Sequence, residues 1–473
     1  MIASHSFVDG LLTVEGQLND FAADPVTCMT QLRDRYGDLV ALRESGQQLI
    51  FAFGPDYNRE LLSQPALFHA RFFALRGSKK SAQRHLTSGL LSMNGPEHIQ
   101  QRRIVKGAFT KPAVSGYRNV VTQLTDEMLA DWQLGQVRDI SADMTHLMLR
   151  ITSSILFGLD QPELAFELGE MLHKWVELNH ELGMSAFRTE DGFYPKYQSM
   201  LSHSEAVEAR VRELFAQRRQ GSAGEFDMLS LLMQANSDGE GISDDQLIGQ
   251  AALLFAAAHM TTAHSLMWTL FLLSQHPEVA QQLDAELVEP VDFSDDSSLT
   301  STTSVLNRVI RESMRLLPAS SYSQRIAQEQ VTLGSATLPS GSIIVFSQFM
   351  THRIESIYAE PKRFNPDRWL TIKPSSYEYL PFGGGPRLCL GASLATSIIR
   401  TVLPQILRRF SLCTQSNAEI NALVISTMLG PTTTVPMQLR PVGTPRETVP
   451  LRGNITELVT FPAALPQAIR RAA

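Results

Sequence analysis

Cysteine is nearly absent from this chain. Three occur in 473 residues, Cys28, Cys389 and Cys413, odd in number and far apart. They form no disulfide framework and fit a reducing compartment. They are also too few to ligate an iron–sulfur cluster. Basic charge is not in excess: the formal net charge is -7, which argues against general nucleic-acid binding. No G-x-G-x-x-G lies between a strand and a helix, so no flavin- or nicotinamide-binding unit is evident. The opening residues, MIASHSFVDGLLTVEG, lack a basic segment followed by an apolar core, and no long apolar anchor follows. A cytoplasmic protein without signal peptide or membrane anchor is expected. No internal repeat and no low-complexity linker divides the chain.

What is present describes a globular protein with a sizeable core: 43% hydrophobic and 19% charged residues. Leu247 to Leu273 is long and apolar, but His259, Thr261, Thr262, His264 and Ser265 sit at its middle, the costliest place for them in lipid. The segment therefore reads as a long buried helix. Ser243 and Gln246 supply a capping box, Asp244 and Asp245 favour the positive end, and Pro277 marks the stop. Helical patterns also cover 25–35, 97–109, 120–132, 143–156, 162–182, 197–219 and 303–316. The segment between 162–182 and 197–219, with Gly192 and Pro195, reads equally as a lid or as a plain helical hairpin. Extended segments at 331–333 and 342–347 look too few and too short for a large sheet. The expectation is a mainly α fold with small β-sheets and one long central helix.

Ten residues carry the chemistry: Phe382-Gly-Gly-Gly-Pro-Arg387-Leu-Cys389-Leu-Gly391. A lone cysteine sits in a glycine-rich turn, with a cation two residues before it and an apolar helix after it. Positive charge and a helix N-terminus stabilise thiolates. The glycines let backbone approach a flat, bulky ligand. This is how a protein presents one sulfur to heme iron, for which Cys thiolate is an axial ligand.

The spacing matches FxxGxRxCxG at every fixed position and resembles the cytochrome P450 family, over about residues 25 to 440. The resemblance implies one heme-thiolate domain over 1–440, leaving 441–473 as a surface-wrapped or partly disordered extension. It implies heme b as cofactor, with Cys389 as the iron ligand and Phe382 beside it. His98 and Arg102, at i and i+4 on one helix face, would hold the propionates with Arg387 and Arg325. Glu312 and Arg315 in Glu-Ser-Met-Arg would join Arg368 in a buried triad supporting the cysteine loop.

One region departs from the family pattern. Where relatives carry an acid before a threonine in the long helix, this chain reads Ala257-Ala-His259-Met260-Thr261-Thr262. Thr261, with Thr262, matches the threonine that helps deliver protons to dioxygen, but Met260 cannot carry a proton. His259 is a substitute only if it faces the same channel; otherwise it is a buried core histidine. The resemblance places Leu254, Ala258, Met260, Tyr322 and Leu429 around a pocket for a lipophilic small molecule. It implies monooxygenation with O2 and electrons from a separate ferredoxin- or flavodoxin-type donor. Met260 keeps open an alternative: peroxide-driven oxidation, oxidative coupling or rearrangement.

Overall fold

The computed structural model describes residues 5–8, 10–72, 74–158, 160–185, 193–220, 227–235, 242–289 and 302–463. The central helix spans Asp244–Gln275, 32 residues or about 48 Å of rod. Both halves of the Ser243/Gln246 capping box are formed. The helix is apolar on nearly every side, and Phe255, Trp268 and Phe271 are fully buried, as a helix threading a core requires. It packs most extensively on the helix Ile140–Phe157, and also on Pro162–Ser185, Val305–Leu316 and Ala392–Leu407. No helix among the described residues is long and apolar enough to cross a membrane.

The helices fall where the periodicity put them, at Pro25–Tyr36, Gly95–Val105, Pro162–Ser185 and Phe193–Gln220, and Lys111–Ala130 begins nine residues before the expected 120. Gly192 lies outside the described residues, while Pro195 is in the first turn of Phe193–Gln220. The fold is mainly helical, but its largest sheet is wider than expected. Seven short strands run His5–Val8, Leu11–Glu15, Leu39–Glu44, Gln47–Ala52, Ile343–Phe346, Ser323–Ala327 and Phe68–Ala70. The parallel pairing of Ile344 with Ile50 and Val345 with Phe51 stitches the two ends of the chain together. This sheet stands beside the helices, and Ser323–Ala327 carries the cavity residues Ser323, Gln324 and Arg325.

The segment after residue 440 is held against the same core as far as it is described. Arg446 pairs with Asp284, Thr448 Oγ1 donates to Gln275 O at 3.0 Å, and Leu451–Arg452 pairs with Ala418–Glu419. Ile455 and Val459 are buried, and the Phe461 ring meets Phe271 edge-on.

Candidate active site

The cysteine loop is built by backbone conformation before any side chain is considered. Gly383 and Gly385 sit at φ of +69° and +64°, which only glycine adopts freely. A Cβ at Gly385 would fall 2.1 Å from the Leu62 carbonyl oxygen, so the loop lies hard against the helix Pro55–Ser63. Gly383 N donates to Leu380 O, and Cys389 N to Phe382 O, both at 3.0 Å. The helix Ala392–Leu407 begins directly after Gly391. Cys389 lies deep in the protein yet its side chain is uncovered, because it opens onto an internal cavity. Burial pushes its thiol up, and the Gly391 N–H and the Arg102 charge oppose that rise.

The cavity has a volume of about 800 Å³. Of the residues singled out in the sequence, Leu254, Ala258, Thr261, Thr262, Tyr322, Phe382 and Cys389 line it, together with His98, Arg102, Arg325 and Arg387. Three others do not. Met260 is half-buried and is not among the lining residues, contrary to the pocket-shaping expectation. His259 is fully buried behind the wall, stacked on Phe255 and edge-on to His173, with ring centroids 5.2 and 4.8 Å away. Burial, then His173 and His264, bring its pKa down to about 3, and neither ring nitrogen has a hydrogen-bond partner. It does not reach the cavity as a proton relay would. Leu429 is also buried in the core, held by Trp268 Nε1 donating to its carbonyl at 3.1 Å; its neighbour Met428 forms the wall instead.

Sequence reasoning missed the wall contributed by the helix Pro162–Ser185, where Trp175, Val176, Asn179 and His180 face the cavity. It also missed Arg71, just past the strand Phe68–Ala70. No local motif marks these positions; only the packing of distant elements brings them there.

The electrostatics of the cavity test whether heme fits. Among the described residues four arginines line it, Arg71, Arg102, Arg325 and Arg387, and no aspartate or glutamate does. Arg102 Nη2 donates to Leu388 O at 2.5 Å, tying the helix Gly95–Val105 to the cysteine loop. Arg387 donates to Met93 O and, at 2.7 Å, to Asn94 Oδ1. Arg325 Nη1 donates to Gln324 O at 2.9 Å. Burial, then Arg387, brings Arg325 down to about 10, and burial, then Arg102, does the same for Arg387, so both stay charged at neutral pH. Gathering buried guanidiniums without a carboxylate is unfavourable unless an anion joins them. Two propionates answer that need, and the open thiol answers the need for an iron ligand. His98 behaves differently from the arginines. Burial, then Arg387 and Arg102, lowers it to about 4, so at neutral pH it offers a ring N–H rather than a charge. The residues present fit heme b.

Behind the loop, Glu312 accepts five hydrogen bonds in a fully buried site. Oε1 takes Arg315 Nη2 and Arg368 Nε at 2.9 Å and Asn365 N at 3.0 Å; Oε2 takes Arg315 Nε at 2.9 Å and Trp369 Nε1 at 3.1 Å. A path runs from here to the loop. Arg315 Nη1 donates to His352 O at 2.8 Å, His352 Nε2 accepts from Leu380 N at 2.8 Å, and Leu380 O accepts from Gly383 N.

A family model described as Cytochrome P450 matches residues 11–435. The cyclooctat-9-en-7-ol 5-monooxygenase of Streptomyces melanosporofaciens is 29% identical over 403 residues, 80% of this chain and 83% of that protein. The pentalenene oxygenase of Streptomyces avermitilis is 26% identical over 451 residues, 91% of this chain and 97% of that protein. Among solved structures, the cytochrome P450DA heme domain has a TM-score of 0.76 at 22% identity, covering 90% of this chain and 95% of that one. Retinoic acid-bound cyanobacterial CYP120A1 has a TM-score of 0.74 at 20% identity, covering 87% and 94%.

Proposed function

The chain belongs to the cytochrome P450 family, and from that premise we propose that it inserts oxygen into a cyclic terpenoid, drawing electrons from a separate protein. One observation carries this reading: among the described residues, the cavity's one thiol, Cys389, shares it with four arginines, no carboxylate and mostly apolar walls. Cys389 would hold the iron, and His98, Arg102, Arg325 and Arg387 the propionates. Heme b, when bound, supplies the redox-active iron at which dioxygen is used. The relatives named for cyclooctat-9-en-7-ol and pentalenene support a ring-containing terpenoid as substrate. Leu254, Ala258, Trp175, Val176 and Met428 would enclose its hydrocarbon and exclude water. The test is turnover of cyclic terpenes under labelled dioxygen. One labelled atom in the product is expected; a product carrying none sinks the proposal.

The chain's own contribution to proton supply centres on Thr261. Thr261 lines the cavity, and its hydroxyl donates to Ala257 O at 2.7 Å. With no acid among the described residues of the cavity wall, the hydroxyls that the central helix presents there, at Thr261, Thr262 and Ser265, are groups able to pass protons. Thr261→Ala should lower oxygen-driven turnover by roughly 100-fold or more, within the ~10²–10⁴ that a positioned proton donor contributes. Electron consumption should continue, and peroxide-driven turnover should change little. Equal loss in both assays would make Thr261 a packing residue.

The electron donor would dock on the basic face beside the loop, where Arg103, Lys106 and Lys111 are exposed next to Arg102. This face suits an acidic ferredoxin- or flavodoxin-type protein. Reversing the charge of Arg103 and Lys106 together should slow donor-driven reduction about tenfold at low salt. The difference should fade as ionic strength rises. An unchanged rate rejects the docking face.

A further inference from the structure

The four cavity arginines outnumber the charge that heme brings. The iron–porphyrin core carries one positive charge in the ferric state, which the Cys389 thiolate cancels. The two propionates then balance two guanidiniums, and two remain. Three of the four form one electrostatic group: Arg387 acts on Arg325, and Arg102 acts on Arg387. Arg71 lies beside this group, since its backbone N and Arg325 Nη1 both donate to Gln324 O. None of the three acts on its guanidinium, whose one titratable neighbour among the described residues is the Tyr322 phenol.

Arg71 is also positioned rather than free to swing. It follows the edge strand Phe68–Ala70, and its backbone N donates to Gln324 O at 3.4 Å. Nη1 donates to Gln324 Oε1 at 3.1 Å. That contact holds one corner of the guanidinium and leaves the remaining N–H donors directed to other acceptors. Tyr322, Ser323 and Gln324 make this the polar end of the cavity, while Leu18, Phe21 and Ala22 line it nearby without polar side chains.

We infer that the substrate is an isoprenoid acid whose carboxylate is bound by Arg71 at this end of the cavity, with its hydrocarbon reaching toward Cys389. A planar guanidinium matches a carboxylate through two parallel N–H···O bonds, whereas a phosphate or diphosphate would call for several cations at the same place. Desolvation by the cavity wall strengthens the pair relative to one in water. The inference rests on the heme-thiolate reading above and deepens it by naming the substrate's polar group.

The test uses the heme-loaded full chain and the optical spin-state shift on ligand binding. The probes are dehydroabietic, isopimaric and retinoic acids, each against its methyl ester. At least one acid should bind about tenfold or more tightly than its ester, the difference a charge-assisted hydrogen bond makes. The preference should weaken as salt is added. Arg71→Leu should bring acid and ester to near-equal affinity, Arg71→Lys should keep part of the preference, and heme content per chain should be unchanged in both. No acid preference in the wild type, or an undiminished preference in Arg71→Leu, overturns the inference. So does heme loss in both variants, which would put Arg71 among the heme-holding cations. A wild type lacking the thiolate-type spectrum with reduced iron and carbon monoxide would instead reject the underlying heme-thiolate reading.

Discussion

Cys389→Ser abolishes turnover while the chain stays folded. The two halves of that expectation have separate causes. The Cys389 side chain opens onto the cavity and contributes little packing, and the loop is held by the backbone bond from Cys389 N to Phe382 O and by Gly383 and Gly385. None of these involves the sulfur. Serine preserves size but not chemistry, because a hydroxyl does not ionise near neutral pH and gives no soft anionic ligand. Neither remaining cysteine can take over. Cys28 lies on the helix Pro25–Tyr36, away from the cavity, and burial, then Asp20 and Asp24, push its thiol up to about 12. Cys413 is buried in the strand Ser411–Thr414. The checks are circular dichroism, unchanged, and product formation, lost together with the thiolate-type carbon monoxide spectrum. Retained turnover would mean that another group ligates the iron.

The legibility of this site in the sequence follows the range of the interactions that make it. The cysteine loop depends on glycines two to six residues from Cys389, so a ten-residue motif contains nearly all of its determinants. The central helix was readable for the same reason, since its cap lies within four residues of its start. Of the cavity arginines, Arg102, Arg325 and Arg387 were legible through the family motifs, whereas Arg71 and the lack of acids among the described lining residues were not, because no local motif marks them. The wide sheet was hidden similarly: Ile50 and Ile344 are neighbours in space and almost three hundred residues apart. Met260 and His259 illustrate a different failure. The central helix lines the cavity through 250, 253, 254, 256, 257, 258, 261, 262 and 265. His259 turns into the core, away from most of these positions, so family position pointed to the cavity where helical periodicity pointed away from it. Met260 shares its side of the helix with Leu253 and Ala256 and still is not among the lining residues.

Glu312→Gln is expected to destabilise the fold by about 3–5 kcal/mol, the range for breaking a buried ion pair from one side. The change is nearly isosteric, so the effect isolates charge and hydrogen-bond polarity. The amide nitrogen would face donors whichever way it turned: Arg315 Nε and Trp369 Nε1 on one side, or Arg315 Nη2, Arg368 Nε and Asn365 N on the other. Two guanidiniums would also lose their buried counter-charge. Against a typical total of about 5–15 kcal/mol, that is enough to threaten folding, and the path through His352 and Leu380 would carry the disturbance to the cysteine loop. Glu360→Gln is the control. Its pair with Arg363 is exposed, and such pairs contribute about 0–1 kcal/mol. Acid should reproduce the effect of the substitution. Burial alone would raise the Glu312 pKa, but Arg315, Arg368 and the Asn365 N–H outweigh it and hold the carboxyl below its usual value. A depressed folded-state pKa means the stabilisation is fully present above the unfolded value of about 4.3 and is lost as pH falls through the folded one. Chemical denaturation of both variants at neutral pH decides the matter. If Glu312→Gln unfolds at the same denaturant concentration as Glu360→Gln, the buried triad does not support the fold, and the cysteine loop is held by its own backbone alone.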